Sequence, residues 1–576
     1  MSGDVILKQD DTWLHFTNPR HVITTEKTVE VRKSLSEVEN LVNEKGWHAA
    51  GFLSYESAPA FDTSLRVVPS PGFPLLWFGL YEAPQVIKDL EEYKESSPLP
   101  NLRWQPDVEK ESYNAAIQTI KDRIAQGQTY QVNYTMRLKT DFEADPWTLF
   151  LHLARSQNKY AAFIDIGAWA ICSASHELFF DLDGEIITGR PMKGTVRRGR
   201  TSAEDKANSN WLHASTKNRA ENVMIVDMIR NDIGRIAQIG SVHVPGLFTV
   251  EKYPTLFQMT STVQAKTSAS VTEIFTALFP CASITGAPKV STMKIIADLE
   301  NGPRKIYTGS IGTIAPDRKA RFNVAIRTAL VDKENKAAEY GVGGGIVWDS
   351  TSTDEYSEAL LKARILTDPP QEDFSLFETL LWTPQEGYFL PERHIARLFD
   401  SSEYFGFPKQ GEAIREILAE TVAEATSPKR VKIWVDRQGN ISAETKDVQP
   451  LNKIFRVCLA KEPVHSGNRF LFHKTTQREI YEKSMIRGFD DVLLFNERNE
   501  LTEFTIGNLV AEMNGHLYTP PIECGLLAGT FRAELLEGGV INERVITLDE
   551  IPNCTTIFLI NSVRRWVKTS LVPNKA

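Results

Sequence analysis

The eight residues Leu366–Asp373, LTDPPQED, constrain this chain more than any other stretch. Adjacent prolines remove two backbone donors and fix φ, so neither a helix nor a sheet ladder runs through them. A prior of about 150 residues per domain would allow three or four units, or two large ones. Motif-bearing sequence on both sides of the prolines favours two: a unit 1–366, a linker 367–373 and a unit 374–576.

Charge and cysteines narrow the function classes. The net charge is −9, and the only basic cluster is KGTVRRGR, which argues against nucleic acid or an anionic membrane surface as partner. Small molecules and proteins remain. Five cysteines lie without CxxC spacing, so neither a zinc site nor a disulfide framework is signalled, and a reducing cytoplasm fits. The first residues, MSGDVILKQDDTW, lack a basic and then apolar leader pattern, and no run approaches the roughly 18 apolar residues that span a bilayer.

The first unit mixes β-rich runs with helical periodicity in VEVRKSLSEVENLVNEKG, which stops at a glycine, and at Glu111–Gln126. QTYQVNYTMRLKT alternates as a strand, so the unit mixes α and β elements. In ITGRPMKGTVRR, Pro191 and Gly194 bracket Lys193 and present it, with an exposed turn lysine as the competing reading. Glu177 precedes a hairpin signal, DLDGE, and two hairpin strands would bring this carboxylate and Lys193 to one cavity as acid and nucleophile or base; a surface ion pair is the alternative.

AENVMIVDMIRNDI is apolar around most of a helix, which leaves Glu221, Asp227, Arg230, Asn231 and Asp232 needing partners. In STSTDEYSEALLKARIL, Ser352 and Glu355 have capping-box spacing, and Glu355, Glu358 and Lys362 share one helix face. That face is either solvated and salt-bridged, or it joins a carboxylate of the other helix to hold Mg²⁺. Thr285-Gly286 before a helix, and Gly343, Gly344 and Gly345 after Tyr340, expose backbone N–H groups that suit a carboxylate; close strand packing would also explain the glycines. Arg327, charged inside an apolar strand, reads as a carboxylate clamp. Together these describe a cavity for a small dianionic acid.

SHELFF, GRPMKGT, AENVMIVDMIRNDIGR, SITGAPK, YTGSIGTIAP, NVAIRT, YGVGGGIVWDS and DEYSEALLKA resemble, in order, the motifs of the chorismate-utilising enzymes. The resemblance implies a large α+β sandwich of antiparallel sheets. The lysine of PMKGT is similar to that of the aminodeoxychorismate synthases, where anthranilate synthases have alanine. It implies that Lys193 is the nucleophile toward chorismate, and Glu177 the general acid and base. Glu221 and Glu358, with Glu355 nearby, would hold Mg²⁺. Thr285, Gly286, Tyr307, Arg327, Tyr340, the three glycines and Lys362 would bind substrate. Two residues depart from the pattern: Gln258 stands where many relatives have histidine, and His176 where proline is common.

In the second unit, Lys474 follows an apolar run, Glu503 lies between a turn and a strand, and Gly529-Thr530 opens a helix. Pyridoxal phosphate needs a lysine for its carbonyl, a carboxylate for its pyridine nitrogen and a helix N-terminus for its phosphate. FSLFETL, RHIARL, HKTTQRE, LTEFTIGNL, GLLAGTFR and FLINSVR resemble the fold-type IV pyridoxal-phosphate family, a smaller α+β fold, with Gln477 where asparagine is more usual. The resemblance makes Lys474 the Schiff-base lysine, Glu503 the nitrogen partner, and Arg397 and Thr530 phosphate ligands.

The two resemblances together imply a bifunctional enzyme of folate biosynthesis. Chorismate and ammonia would give 4-amino-4-deoxychorismate, and loss of pyruvate would then give 4-aminobenzoate. No GxCxGxxG segment of a glutaminase is present, which implies ammonia from a separate glutamine amidotransferase subunit. The alternatives are anthranilate or isochorismate synthesis in the first unit, against which Lys193 stands, or a second unit that only docks a partner.

Overall fold

The computed structural model describes every residue except 1–2, 89, 91–98, 101, 157–158, 254, 368–373, 450, 452 and 573–576. All but the first residue of the expected linker therefore lies outside the described residues. Internal contacts define two units, one of Met1–Val196 with Trp211–Gln371, the other of Arg197–Asn210 with Glu372–Ala576.

The short segment Arg197–Asn210, read from sequence as part of the first unit, groups with the second. Its Arg198 guanidinium donates to Asp205 at 2.6 Å and to the Tyr404 carbonyl at 2.8 Å. The Tyr404 hydroxyl in turn donates to the Gly199 carbonyl at 2.6 Å. Arg198 of the basic cluster is thus consumed by buried pairing, a long-range outcome that local spacing does not encode.

The first unit contains two ten-stranded sheets, antiparallel at every described pairing. Val5, Leu7, Ile164 and Ile171 of one sheet meet Phe52, Trp77 and Ile311 of the other in a shared apolar layer. The outer faces are covered by helices. Thr28–Lys45, Thr216–Gly234 and Val271–Leu278 cover one sheet, while Lys110–Ala125, Pro146–Ser156 and Ser352–Ala363 cover the other. This is the antiparallel α+β sandwich expected.

Strand Gln131–Asp141 shows why the alternation in sequence mattered. Val132, Tyr134, Met136 and Leu138 enter the helix-covered core, while Gln131, Asn133, Thr135 and Arg137, also buried, face the opposite way. A buried polar stripe needs partners. Around Glu300 they are found in part: the Thr135 hydroxyl donates to its carboxylate at 2.7 Å and Arg137 to the Thr135 hydroxyl at 3.0 Å, while Arg304 donates to the same carboxylate at 2.6 Å and to the carbonyls of Asn133 at 2.7 Å and Ile284 at 3.0 Å. These bonds tie the strand to the loop carrying Thr285 and Gly286.

The backbone N–H of Arg304 donates to Glu56 at 2.7 Å, and burial raises the Glu56 carboxyl from its ordinary 4.5 to about 7. An acid raised on folding leaves the folded state binding more protons than the unfolded one between those values, so stability is lost as pH rises through them. Glu56→Gln should therefore flatten the fall of Tm between pH 5 and 8. The gain at pH 8 should reach about 3 kcal/mol. Equal pH slopes for the two proteins by calorimetry would refute the ionised-Glu56 cost.

The helix Thr216–Gly234 is buried along one face only, through Asn222, Ile225, Val226, Ile229 and Ile233. Asp227 and Arg230 pair at 2.9 Å on its exposed face, while Asp232 is partnered by Lys289 at 3.2 Å, so the charges that looked stranded in sequence are solvated or paired. The cap of Ser352–Ala363 also differs from expectation. Thr351, not Ser352, is the N-cap, accepting from the Asp354 N–H, and Ser350 holds Glu355 at 2.6 Å.

The second unit combines a four-stranded sheet with an eight-stranded one. The larger is mixed, because Phe455–Leu459 runs parallel to both of its neighbours. Strand Leu376–Thr383 is followed by a short return strand and helix Pro391–Phe405.

Candidate active sites

Lys193 and Glu177 meet, but not through the hairpin. Lys193 lies on strand Met192–Arg197 at the edge of its sheet, separated from Leu178–Asp183 by two intervening strands. Glu177 sits where the chain crosses from strand Trp169–Ser175 of one sheet to Leu178–Asp183 of the other. Crossing between layers carries a carboxylate into the interior. Its Oε1 accepts from the Ser283 hydroxyl at 2.6 Å.

Burial pushes the Glu177 carboxyl up to about 7, against the opposing pull of Ser283 and Lys193. Burial also lowers the Lys193 ammonium, with Glu177, Glu221 and Glu358 raising it and Lys362 lowering it further. Each group is therefore drawn toward its neutral form, as an acid and a nucleophile sharing one pocket require. Gly345 makes the space. A Cβ there would stand 2.4 Å from Gln131 Nε2 and 3.1 Å from Lys193 Nζ. The Gln131 nitrogen is buried with no partner, leaving a free donor beside the lysine.

The other residues singled out in sequence fall into two groups. Around the pocket, Lys362 donates to the Gly343 carbonyl at 2.9 Å and pairs with Glu358 at 2.7 Å, while Glu355 and Lys362 flank Gly344. Glu355 is raised by burial, and Glu358 raises it further. Arg327 is not within a strand. It occupies the left-handed region, φ 53°, between Lys319–Val324 and Thr328–Asp332, donates to the Lys362 carbonyl and lies beside Tyr340.

A second group is tied into the surrounding framework. The Thr285 hydroxyl donates to the Cys281 carbonyl at 3.1 Å, Gly286 pairs with Val132, and the Tyr307 ring stacks on Arg137 at 5.0 Å. The two departures from the family pattern meet each other: His176 and Gln258 share a hydrogen bond. Burial pushes the His176 imidazole down to about 3. Sequence reasoning missed Ser283 and Gln131, whose burial is set by non-local register.

In the second unit, Lys474 extends the edge of strand Leu376–Thr383: its carbonyl accepts from the Phe377 N–H at 3.0 Å. The ammonium lies 4.9 Å from the Phe377 ring centre. Burial and then Arg397 lower it to about 7, with Glu378 and Glu503 opposing. Glu503 Oε1 accepts from the Tyr481 hydroxyl at 2.8 Å and the Leu527 N–H at 3.1 Å, while Asn508 Nδ2 donates to Oε2 at 3.2 Å. Arg397 grips Glu378 through Nε and Nη2, both at 2.7 Å, and gives Nη1 to the Ala528 carbonyl at 2.9 Å. Five N–H groups less three leaves two free at the tip, enough for a phosphate. Thr530 opens helix Thr530–Glu537, and its hydroxyl lies 3.1 Å from His394 Nε2. Glu378, His394, Tyr481 and Asn508 were not anticipated; the signal for Glu378 and His394 was a charged residue inside FSLFETL and a histidine three before Arg397.

Residues 4–368, well over half the chain, match the chorismate binding enzyme family. The chain belongs to that family, and residues 375–572 match the amino-transferase class IV family. Over 266 residues it is 40% identical to aminodeoxychorismate synthase, chloroplastic, of Arabidopsis thaliana, covering 45% of this chain and 29% of that protein. Over 267 residues it is 39% identical to aminodeoxychorismate synthase component 1 of Escherichia coli, covering 46% of this chain and 58% of that one. The chain thus aligns with less than two thirds of either relative. The structure of anthranilate synthase component I from Streptococcus pneumoniae is similar at 26% identity and a TM-score of 0.55, covering 62% of this chain and 93% of that one. A class IV domain implies pyridoxal phosphate, and the free lysine, buried carboxylate and unspent Arg397 donors fit that cofactor. Among the described residues no helix is long and apolar enough to cross a membrane.

Proposed function

We propose that the first unit makes 4-amino-4-deoxychorismate from chorismate and ammonia, and that the second eliminates pyruvate from it to leave 4-aminobenzoate, a route to folate. The observation that carries the reading is a buried lysine with lowered basicity beside a carboxyl raised to about 7. The Lys193 amine adds to C2 of chorismate, both ring double bonds shift by one position, and the C4 hydroxyl departs as water with a proton from Glu177. Ammonia then attacks C4 as Lys193 leaves C2. Ammonia comes from a separate glutamine amidotransferase subunit, in keeping with the likeness to a synthase component 1.

Mg²⁺ takes one or two protein carboxylates and fills its shell with water and an anionic ligand. Glu221 and Glu358, from separate helices, both act on the Lys193 ammonium, and Glu358 repels Glu355. No group of three metal-binding side chains occurs among the described residues, so two carboxylates and the substrate would hold the ion. Glu221→Gln and Glu358→Gln should each lower chorismate turnover at least about a hundredfold at limiting Mg²⁺ with the fold intact by circular dichroism. Normal turnover by either variant would remove that residue from the ligand set.

In the second unit, pyridoxal phosphate supplies an electron sink for bond cleavage at the substrate amine carbon. Lys474, lowered to about 7, is the group that takes the C4 proton as the enolpyruvyl group departs. Glu503 would hold the pyridine nitrogen, and Arg397 with Thr530 the phosphate. Incubating the pure chain with chorismate, Mg²⁺, ammonium and pyridoxal phosphate should yield 4-aminobenzoate and pyruvate by mass spectrometry. Anthranilate or isochorismate as product would overturn the reading.

A further inference from the structure

We propose that His394 is a proton-coupled switch for the cofactor phosphate: an imidazole when the site is empty, an imidazolium when the phosphate is bound. The proposal rests on the class IV reading and adds to it a positioning residue that acts through Thr530. Helix Pro391–Phe405 places His394 and Arg397 three residues apart, so both reach Glu378.

The hydrogen-bond directions follow from chemistry. Glu378 is buried, yet Arg397 and His394 hold its carboxyl far below the usual range, so it is ionised and only accepts. It lies 2.7 Å from His394 Nδ1, and that nitrogen therefore carries a proton. Burial favours the uncharged ring, Glu378 opposes this, and Arg397 and Lys474 reinforce it. These three are the charged groups that act most strongly on the ring. In the neutral tautomer Nε2 is a bare lone pair, and among the described residues the donor it meets is the Thr530 hydroxyl, 3.1 Å away. The empty site thus spends the Thr530 proton on His394.

A bound phosphate dianion presents acceptors alone. For Thr530 to donate to it, the hydroxyl proton must turn away from Nε2, and two buried lone pairs would then face each other. One proton taken from solvent onto Nε2 removes the conflict. Nε2–H donates to Thr530 Oγ1, Thr530 donates to phosphate, and the imidazolium lies between the Glu378 carboxylate and the incoming anion. The balance is one proton taken up per phosphate bound.

The test uses the full chain freed of cofactor and titrated with pyridoxine 5′-phosphate, which has the phosphate and no aldehyde, so Lys474 is not modified. Above pH 7 the ligand is already a dianion, since its second pKa is about 6. Between pH 7 and 8.5 the wild-type Kd should rise about tenfold more per pH unit than that of His394→Gln, because one proton is linked to binding. Comparing the two proteins cancels the titration of Lys474. Calorimetry in buffers of differing ionisation enthalpy should show one proton taken up by wild type and lost in the variant. In ¹⁵N-histidine spectra, the His394 Nε2 signal should move from the bare to the protonated range on saturation, a readout that stands even if the variant does not fold. Binding with parallel pH slopes and an unmoved ring signal would overturn the switch and leave the cofactor assignment standing. Failure to bind either this analogue or pyridoxal phosphate would overturn both.

Discussion

Replacing Lys193 with alanine should cut formation of 4-amino-4-deoxychorismate by roughly a thousandfold or more, about 4 kcal/mol of barrier. Only an uncharged amine attacks carbon. Burial supplies that state, while Glu177 and Glu221 limit how far the ammonium is lowered. Lys193→Arg should not restore activity, because a guanidinium stays protonated above pH 12 and has no free pair of electrons. Recovery by arginine, measured as product by mass spectrometry, would reduce the residue to an electrostatic anchor. The pH profile offers an independent check. Turnover needs Glu177 protonated and Lys193 neutral, so the alkaline limb should lie near the Glu177 value of about 7. Glu177→Gln should remove that limb along with most of the activity.

The chemistry of this pocket was more legible in sequence than its geometry. Lys193 between a proline and a glycine, and three glycines in a row, are residue choices that an ordinary strand does not require, so they stand out in one dimension. Their meeting does not. Lys193 and Glu177 come together because one lies on a sheet edge and the other on the crossing between sheets, and no local hairpin encodes that. Arg327 reads as a strand residue because its neighbours are apolar, but its left-handed φ is set by the sharp junction it occupies. The alternation of Gln131–Asp141 was visible, yet which face is solvated depends on what covers it, and here neither is. Arg197–Asn210 was assigned by chain position, whereas its buried Arg198–Asp205 and Tyr404 bonds decide its unit.

Lys474→Ala should bind no chromophoric cofactor through its carbonyl and should lose the visible band that wild type shows with pyridoxal phosphate. Supplied with chorismate, Mg²⁺ and ammonium, it should accumulate 4-amino-4-deoxychorismate, because Lys193 and Glu177 lie in the other unit with none of the cofactor groups. Lys193→Ala should do the reverse, converting supplied 4-amino-4-deoxychorismate to 4-aminobenzoate and pyruvate while making none from chorismate. Each variant removes one amine whose basicity burial has lowered, and each lysine belongs to its own unit. The effects should therefore be independent, as for sites with no shared partners. Mixing the two proteins should restore flux from chorismate to 4-aminobenzoate through the free intermediate, at a rate that rises with protein concentration. A Lys474→Ala protein that forms 4-aminobenzoate at the wild-type rate, with no other lyase present, would show that the second unit does not carry the elimination.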